Sequence, residues 1–381
     1  MDKKLLHTPE GVRDVYGKEY EHKLHIEQRI KEQISLYGYQ DIQTPTFEFF
    51  DVFSKEIGTT SSRELYKFFD KDGNTLVLRP DFTPSMARCA AKYFIDEKVP
   101  LRFCYSGNTF TNNSNLQGKL KEVTQMGVEL IHDDSVEADG EIIALVIESL
   151  LRAGLKDFQI SIGQIEYFKG LCEQAGLDEE TELSLREFIS GKNIFGAEEL
   201  LESKGVGAAQ RDILLKATDL FGDTTILQQA GEQVDNERSL AALRRLERLY
   251  QVLQIYGVEK YVSFDLGMLS KYHYYTGIIF KGYAYGVGDA IVKGGRYDNL
   301  LSKFGKNAPA IGFCIVIDDL LQALIRQNAI QEQNEESITI LFDQDTYAQC
   351  VGKAKSLRGQ GKKVVLTQSK DVHTDGGLKE C

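Results

Sequence analysis

Residues 102–110, RFCYSGNTF, and residues 121–131, KEVTQMGVELI, flank a polar loop, TNNSNLQGKL. Apolar and polar side chains alternate on both sides of the loop, which predicts two antiparallel strands joined as a long, exposed hairpin. Gln125 and Glu129 are four residues apart, so both side chains project from the same face of the second strand. A carboxylate beside an amide can bind an ammonium or imidazole N–H. The alternative is that this face of the strand is simply exposed to solvent.

Upstream of this hairpin the sequence predicts a helix, a broken strand and a shorter hairpin. Residues 19–37 place apolar side chains at near-helical spacing and predict an amphipathic helix. A strand interrupted by Pro45 follows. The segment KFFDKDGNTLVLRP (67–80) contains an Asp-Gly-Asn turn between two apolar runs and predicts the hairpin. A second helix is predicted to begin near Asp81 or Thr83.

Downstream of the long hairpin, helical and strand patterns alternate. The predicted elements are a helix at 138–153, a strand at 158–163, a helical region at 166–260, strands at 261–266 and 274–295, a helix at 311–325 and a β-α-β unit at 338–369. This order predicts an α+β fold. We expect an antiparallel β-sheet flanked by helices over residues 1–325, with a helical insertion at about 166–260, and a short α/β C-terminal tail at 335–381.

The composition is typical of a globular protein. The 381 residues are 42% apolar and 27% charged, which argues against disorder and predicts about two or three domains. Neither a run of about 18 apolar residues nor a signal-peptide core is present, so we expect a cytoplasmic protein without a membrane span. The net charge of −12 argues against nucleic-acid binding, which depends on basic groups. The cysteines are scattered without histidines at ligand spacing, so no metal site is expected.

Three further segments carry polar groups, and each has an ordinary structural alternative. YYTG at 274–277 could be part of a plain strand, GGRYD at 294–298 a strand-to-helix turn, and RPDFT at 79–83 a capped helix start. The glycines of GVG at 286–288 open no helix. They therefore predict a hairpin turn rather than a dinucleotide site.

Six segments, taken in this order, resemble motifs of histidyl-tRNA synthetase and its relatives in the class II aminoacyl-tRNA synthetase family. They are TPEGVRD (8–14), LRPDFT (78–83), TQMGVELI (124–131), YYTGIIF (274–280), GGRYDNLL (294–301) and AIGFCIVI (310–317). The resemblance runs from about Thr8 to Ile325 and implies the sheet and helices of that family. It also implies that residues 335–381 correspond to only part of an anticodon-binding domain.

The resemblance identifies positions where the ATP-binding chemistry of the family is missing. The synthetases stabilise the triphosphate and the reaction centre with arginines, because a guanidinium carries a permanent charge and two parallel donors. In this chain those positions fall on Thr111, Ser270 and Asp319, with Lys119 as a partial replacement at a further one. The resemblance therefore implies a chain without catalytic residues for amino-acid activation.

By contrast, the positions that recognise histidine in the synthetases carry suitable side chains here. They fall on Asp81, Thr83, Gln125, Glu129, Tyr274, Tyr275 and Tyr297. Asp81 and Glu129 can accept hydrogen bonds from an ammonium or an imidazole, and the amide and the phenols supply neutral hydrogen bonds. The resemblance implies an amino-acid pocket without the machinery for ATP.

This division resembles the regulatory subunits of ATP phosphoribosyltransferase, which are synthetase paralogues. It implies a non-catalytic chain without a cofactor that activates the short-form catalytic subunit in a hetero-octamer and confers feedback inhibition by L-histidine. It further implies a homodimer core built from the 19–37 helix and the strand at Pro45. The alternative is a divergent histidyl-tRNA synthetase or another amino-acid-activating enzyme. Whether histidine would occupy the pocket or a subunit interface stays open at this point.

Overall fold

The structure is a computed structural model, which describes residues 6–53, 60–113, 119–269, 274–330, 337–369 and 379–380. The chain divides into two compact units, Met1–Ile330 and Gln331–Cys381. The first unit contains all six segments that resemble the synthetases. The second contains the predicted β-α-β tail.

Two sheets form the framework of the first unit. Its strands, in chain order, are β1 (Gln40–Asp41), β2 (Phe47–Phe49), β3 (Lys67–Phe69), β4 (Thr75–Leu78), β5 (Leu101–Phe110), β6 (Glu122–Ile131), β7 (Phe158–Gln164), β8 (Phe221–Gly222), β9 (Val262–Asp265), β10 (Ile278–Ala284), β11 (Val292–Arg296) and β12 (Ala310–Val316). Nine of them form one sheet in the order β1-β5-β6-β12-β11-β10-β7-β9-β8, and β2, β4 and β3 form a small second sheet. The pairs β1–β5 and β7–β9 of the large sheet are parallel, and its other pairs are antiparallel.

Helices cover one face of the large sheet. The helices of the first unit are α1 (Gly17–Leu36), α2 (Thr83–Tyr93), α3 (Val136–Ala153), α4 (Ile165–Gln174), α5 (Glu179–Ser190), α6 (Ile194–Ser203), α7 (Ala208–Lys216), α8 (Thr225–Gly231), α9 (Glu237–Tyr256) and α10 (Ile317–Arg326). α3 packs between α1 and α9, and α3, α9 and α10 contact β12, β7 and β6. In the described ranges, no helix is both long and apolar enough to cross a bilayer.

The long hairpin that the sequence predicts is β5 and β6. The two strands pair antiparallel from Leu101 opposite Ile131 to Phe110 opposite Glu122. β12 pairs with β6 on its other side, and most of β6 is buried. The hairpin is therefore internal to the sheet rather than exposed, because β12, nearly 200 positions along the chain, covers its free edge.

The central helix α3 forms where the sequence predicts a helix at 138–153. Ser135 is its N-cap, and the Ser135 hydroxyl accepts a 3.1 Å hydrogen bond from the Ala138 N–H. Gly154 ends the helix with a φ of +105°, a conformation that glycine adopts without strain. Between these ends most apolar side chains of α3 are fully buried, whereas Leu151 near the C-terminal end is 37% exposed.

The predicted helix at 311–325 is wrong in its first half. Residues Ala310–Val316 form the buried strand β12, and only Ile317–Arg326 form a helix. A short continuous apolar run fits a buried strand as well as a buried helix, and neither Gly nor Pro marks the junction after Val316. Pairing with β6 and β11 decides in favour of the strand.

The predicted insertion at 166–260 is almost wholly helical. It contains α4 to α9, which pack on one another, and α9 also packs on α3. One short strand, β8, interrupts these helices and pairs antiparallel with β9 at the edge of the large sheet. The sequence pattern did not predict this strand, which has only two residues.

The shorter predicted hairpin is β3 and β4, and β2 lies on the other side of β4. Its turn contains Gly73 with a φ of +85°, which favours glycine. The helix α2 begins at Thr83, near the predicted cap. The N-cap itself is Phe82, and the Asp81 carboxylate accepts a 3.2 Å hydrogen bond from the Thr83 N–H.

The second unit is a small α/β layer. Its elements are β13 (Ile338–Phe342), α11 (Tyr347–Gly359), β14 (Val364–Gln368) and β15 (Lys379–Glu380). β13 pairs in parallel with both β14 and β15, as a right-handed β-α-β connection allows. The buried residues of this layer include Ile340, Ala354 and Val364.

A buried ion pair joins α1 to α10, and its removal is our first prediction. Lys23 Nζ lies 2.7 Å from Asp318 Oδ1, and the Thr124 N–H donates to Asp318 Oδ2. Lys23→Met would leave a buried carboxylate without its counter-charge, so we expect the free energy of unfolding to fall by about 3 kcal/mol. Lys31→Met is the matched control, because its pair with Asp41 is half exposed and contributes less than about 1 kcal/mol. Urea denaturation measures both, and equal losses would contradict the prediction.

Candidate functional site

A cavity of about 980 Å³ lies on the face of the large sheet opposite α1 and α3, and Asp319, Gln322 and Arg326 of α10 line it at one end. Side chains alternate along a strand, so residues two positions apart face the same side. The sheet positions that line this cavity follow that rule on neighbouring strands. They include Thr109 on β5, Gln125 and Glu129 on β6, Gly312, Cys314 and Val316 on β12, and Lys293 and Gly295 on β11.

The residues that the sequence singled out for histidine recognition come together in this cavity. Its lining includes Asp81, Thr83, Gln125, Glu129, Tyr274, Tyr275 and Tyr297. Of the expected arginine positions, Thr111 and Asp319 also line it. Ser270 lies outside the described residues.

Glu129 is the most buried ionisable group of the cavity, with 1% of its surface exposed. Its Oε1 accepts a 3.0 Å hydrogen bond from the Thr83 hydroxyl, and its Oε2 accepts one from the Tyr297 hydroxyl. Burial raises the pKa of Glu129 to about 8, although both donors favour the ionised form. A ligand that donates an N–H to this carboxylate would stabilise its charge.

Two glycines make room for these side chains. A Cβ atom at Gly312 would overlap the Glu129 carboxylate, and one at Gly295 would lie 2.7 Å from the Tyr275 ring. Gly312 is the β12 partner of Glu129 and Gly295 is the β11 partner of Gly312. The pocket floor therefore needs glycine at both adjacent positions.

Gln125 and Asp81 add two more acceptors. Within the described residues, the buried Gln125 Oε1 has no hydrogen-bond partner. A buried acceptor without a partner is costly, so a ligand donor or a water at this position would be favourable. Together with Glu129, these groups suit a ligand that carries several N–H donors.

Three tyrosines form an aromatic wall beside the carboxylates. The ring centroids of Tyr274 and Tyr275 are 4.5 Å apart, and those of Tyr274 and Tyr297 are 5.9 Å apart at an edge-on angle. Burial raises the pKa of Tyr297 far above its usual value, and the adjacent Glu129 carboxylate adds to this. Tyr297 is therefore a neutral donor across the physiological pH range.

The outer part of the cavity, around Lys119, Asp289 and Asp319, contains charged side chains of both signs. Lys119, the partial replacement for an arginine, donates a 2.8 Å hydrogen bond to Asp289 and is half exposed. Burial and the nearby Asp289 carboxylate raise the pKa of Asp319. Two carboxylates at this end would repel a triphosphate, and the ammonium of Lys119 is already paired with one of them, Asp289.

Two arginines of the recognised motifs do not serve the cavity. Arg79 donates to the carbonyls of Thr44 and Asn108, at 2.9 and 2.8 Å, and lies over the Phe82 ring. Arg296 is 3% exposed and donates to Asp139 Oδ1 at 2.6 Å. Both guanidinium groups brace the backbone that carries the pocket residues.

Sequence reasoning missed several residues of this site. Tyr105 lines the cavity and stacks on Phe82 with ring centroids 4.3 Å apart. Its phenol occupies the space that a side chain at Gly127 would need. Lys293 lies on the same face as Tyr297, a relation that the alternation along Val-Lys-Gly-Gly-Arg-Tyr could have indicated. No spacing rule could have paired Gly312 with Glu129. No group of three or more potential metal ligands occurs within the described ranges.

The chain is similar to two groups of known proteins. The family model for histidyl-tRNA synthetase matches residues 11–320. The ATP phosphoribosyltransferase regulatory subunit of Acetivibrio thermocellus is 42% identical over 98% of this chain and 88% of its own length. The protein of the same name from Ruminiclostridium cellulolyticum is 41% identical over 97% of this chain and 89% of its own length.

Solved structures agree with these sequence relationships. An ATP phosphoribosyltransferase regulatory subunit/histidyl-tRNA synthetase from Bacillus halodurans superposes with a TM-score of 0.87 at 36% identity, covering 97% of this chain and 94% of that one. A histidyl-tRNA synthetase from Nostoc superposes with a TM-score of 0.78 at 19% identity, covering 97% and 86%, and supports the fold alone. The chain belongs to the family of ATP phosphoribosyltransferase regulatory subunits, built on the fold of histidyl-tRNA synthetase.

Proposed function

We propose that the chain is a non-catalytic regulatory subunit of ATP phosphoribosyltransferase, acting at the first step of histidine biosynthesis in the cytoplasm. The observation that carries this proposal is the contrast within one cavity. Its inner part offers Glu129, Gln125 and neutral phenols to an amino acid, and its outer part places Asp319 and Asp289 where a nucleotide would need positive charge.

Lack of activity of its own follows from this contrast. Adenylate formation requires stabilisation of charge that develops on the triphosphate, and loss of a single preorganised donor costs about 2.7–4 kcal/mol. Thr111 supplies no charge, Lys119 is engaged by Asp289, and Asp319 carries the opposite sign. The barrier to amino-acid activation would therefore rise well beyond what one substitution causes.

The partner in this proposal is the short-form catalytic subunit, in a hetero-octamer with homodimers of this chain at its core. Exposed aromatic side chains on the small sheet support a contact surface that includes β2. Phe47, Phe49 and Phe68 are 53%, 57% and 37% exposed, and strand register places all three on one face of the small sheet. A group of large exposed aromatic rings is unusual on a surface that faces only water.

We further propose that L-histidine acts as the effector in the inner part of the cavity. It would inhibit the assembly by binding two conformational states with different affinity, since an effector with equal affinities shifts no equilibrium. The same pocket offers acceptors for the imidazole and ammonium N–H groups through Glu129, Gln125 and Asp81. No nucleic acid takes part in this mechanism.

Two assays on the purified chain test the proposal. ATP–pyrophosphate exchange with histidine should stay at the no-enzyme background, and addition of the chain to a short-form catalytic subunit should restore phosphoribosyl transfer that histidine then inhibits. A divergent histidyl-tRNA synthetase would give the reverse result in both assays. Exchange clearly above background would overturn the regulatory proposal.

A further inference from the structure

We propose that Lys293 binds the carboxylate of the amino acid in the cavity. This inference rests on the proposed effector site and extends it by naming the group that recognises a free α-amino acid. Lys293 is a partly buried residue of β11 that lines the cavity. It belongs to none of the positions where the family resemblance implied ligand contacts.

Strand register places Lys293 on the floor of the pocket. Glu129 pairs with Gly312, and Gly312 with Gly295, so the three positions form one row across β6, β12 and β11. Lys293 lies two residues along β11 from Gly295 and therefore faces the same side. The Cα atoms of Lys293 and Glu129 are separated by two strand spacings and two residue rises, roughly 12 Å. Two long side chains that enter this gap from opposite ends leave space for a molecule of amino-acid size.

The chemistry of the ligand requires such a group. A free α-amino acid carries a carboxylate at neutral pH, and a buried carboxylate is unfavourable unless a cation or several donors pair with it. The groups around Glu129 provide mostly acceptors: the carboxylates of Glu129 and Asp81 and the Gln125 amide oxygen. These groups can hold the N–H donors of the ligand, but they repel its carboxylate.

The other cations in the described lining of the cavity are either paired with a carboxylate or exposed to solvent. Arg13 pairs with Glu19 at 2.6 Å, and Lys119 pairs with Asp289 at 2.8 Å. Arg326 is exposed at the rim, where its aliphatic stem lies against Gly286. Across the described part of the chain, the Lys293 ammonium makes no hydrogen bond or ion pair. It is therefore a partly buried cation that is available to a ligand.

A purely structural role for Lys293 would have a different consequence. Its charge lowers the pKa of Asp319 and of Asp289 without contact, so it could serve only to offset those carboxylates. In that case its removal would affect all ligands of the pocket alike. Binding of the carboxylate predicts a loss that depends on whether the ligand has a carboxylate.

Isothermal titration of the full chain with L-histidine and with histamine separates these roles, since histamine lacks only the carboxylate. We expect Lys293→Met to weaken histidine binding by about tenfold to a hundredfold and to leave histamine affinity unchanged or slightly higher. Lys293→Arg should restore most of the preference for histidine. Arg326→Met removes the same charge from the rim of the same cavity and should change neither affinity by more than about twofold.

Each outcome decides the inference. An unchanged preference for histidine in Lys293→Met overturns it, and so does an equal loss for both ligands. Histidine that fails to bind the wild-type chain at millimolar concentration overturns both this inference and the proposed effector site. Restoration of the activity of a catalytic subunit is measured separately. If this activity is not restored, the proposed regulatory function is overturned, but a lost preference for histidine in Lys293→Met still supports the role of Lys293.

Discussion

Glu129→Gln is expected to weaken the binding of L-histidine to the full chain by about a hundredfold at pH 8.5, in agreement with the loss of one charged, fully buried hydrogen bond. The substitution keeps the size of the side chain, and the hydroxyl that faces the new amide NH2, of Thr83 or Tyr297, must turn from donor to acceptor. It removes the negative charge that would pair with an ammonium or an imidazole N–H. The loss therefore reports the electrostatic part of recognition rather than a change of shape.

The pH dependence of binding should change with it. The pKa of Glu129 is about 8 in the empty pocket, because burial outweighs the Thr83 and Tyr297 donors and the Asp81 carboxylate adds repulsion. At pH 6.5 the group is mostly protonated, and a ligand that needs the carboxylate must displace the proton. Histidine affinity should therefore rise by up to about tenfold per pH unit between pH 6.5 and 8 and then level off. In Glu129→Gln this slope should disappear.

The raised pKa of Glu129 also makes the free energy of unfolding depend on pH. The pKa of Glu129 is higher in the folded chain than in the unfolded one, so between about pH 4.5 and 8 the folded state binds more protons. Its contribution to stability is fully present below pH 4.5 and is lost as the pH rises towards 8. Glu129→Gln should flatten this fall in the free energy of unfolding.

Calorimetric titrations at pH 6.5, 7.5 and 8.5 measure the loss of histidine affinity and its pH dependence. Urea denaturation over the same pH range measures the change in the free energy of unfolding. Glu122→Gln is the matched control on the same strand, because Glu122 accepts a hydrogen bond from Asn108 and does not line the cavity. Wild-type affinity in Glu129→Gln would exclude this pocket and place the effector elsewhere, for instance at a subunit interface.

The spacing of Gln125 and Glu129 shows which features of β6 could be predicted from the sequence. The period of two is a local property of the backbone, so four residues of separation were enough to predict that both side chains share a face. Both line the cavity. The hairpin and the central helix were predictable for the same reason, since alternation, a turn and a cap are all encoded within a few residues.

What the sequence did not predict depends on contacts between distant segments. The apolar run after Ala310 became a strand because β6 and β11 provide hydrogen-bond partners on both sides. Gly312 is required by the Glu129 carboxylate, a relation that joins two strands. Neither contact leaves a periodic signal in its own segment. The family resemblance supplied the pocket residues, but it did not indicate Lys293 or the support behind Tyr297.

That support is a triad of charges around a buried carboxylate. Asp139 on α3 is fully buried. Its Oδ1 accepts hydrogen bonds from Arg296 Nε and Nη2 at 2.8 and 2.6 Å, and its Oδ2 accepts one from Arg245 Nε at 2.8 Å. Arg296 directly precedes Tyr297, which donates to Glu129, whereas Arg245 belongs to α9 of the helical insertion. One carboxylate thus fixes both the insertion and the strand end that carries a pocket residue.

Asp139→Asn is expected to lower the free energy of unfolding by about 3–5 kcal/mol, because it leaves two guanidinium groups next to an uncharged amide in a buried position. Glu137→Gln is the matched control. The ion pair of Glu137 with Arg248 joins the same two helices, but the two side chains are 62% and 54% exposed. The control should cost less than about 1 kcal/mol. Urea denaturation of both variants measures the difference, and equal, small losses would show that the triad does not stabilise the fold. Histidine titration of the folded Asp139→Asn variant provides the second readout: if the triad also positions Tyr297, affinity should fall there and stay unchanged in Glu137→Gln.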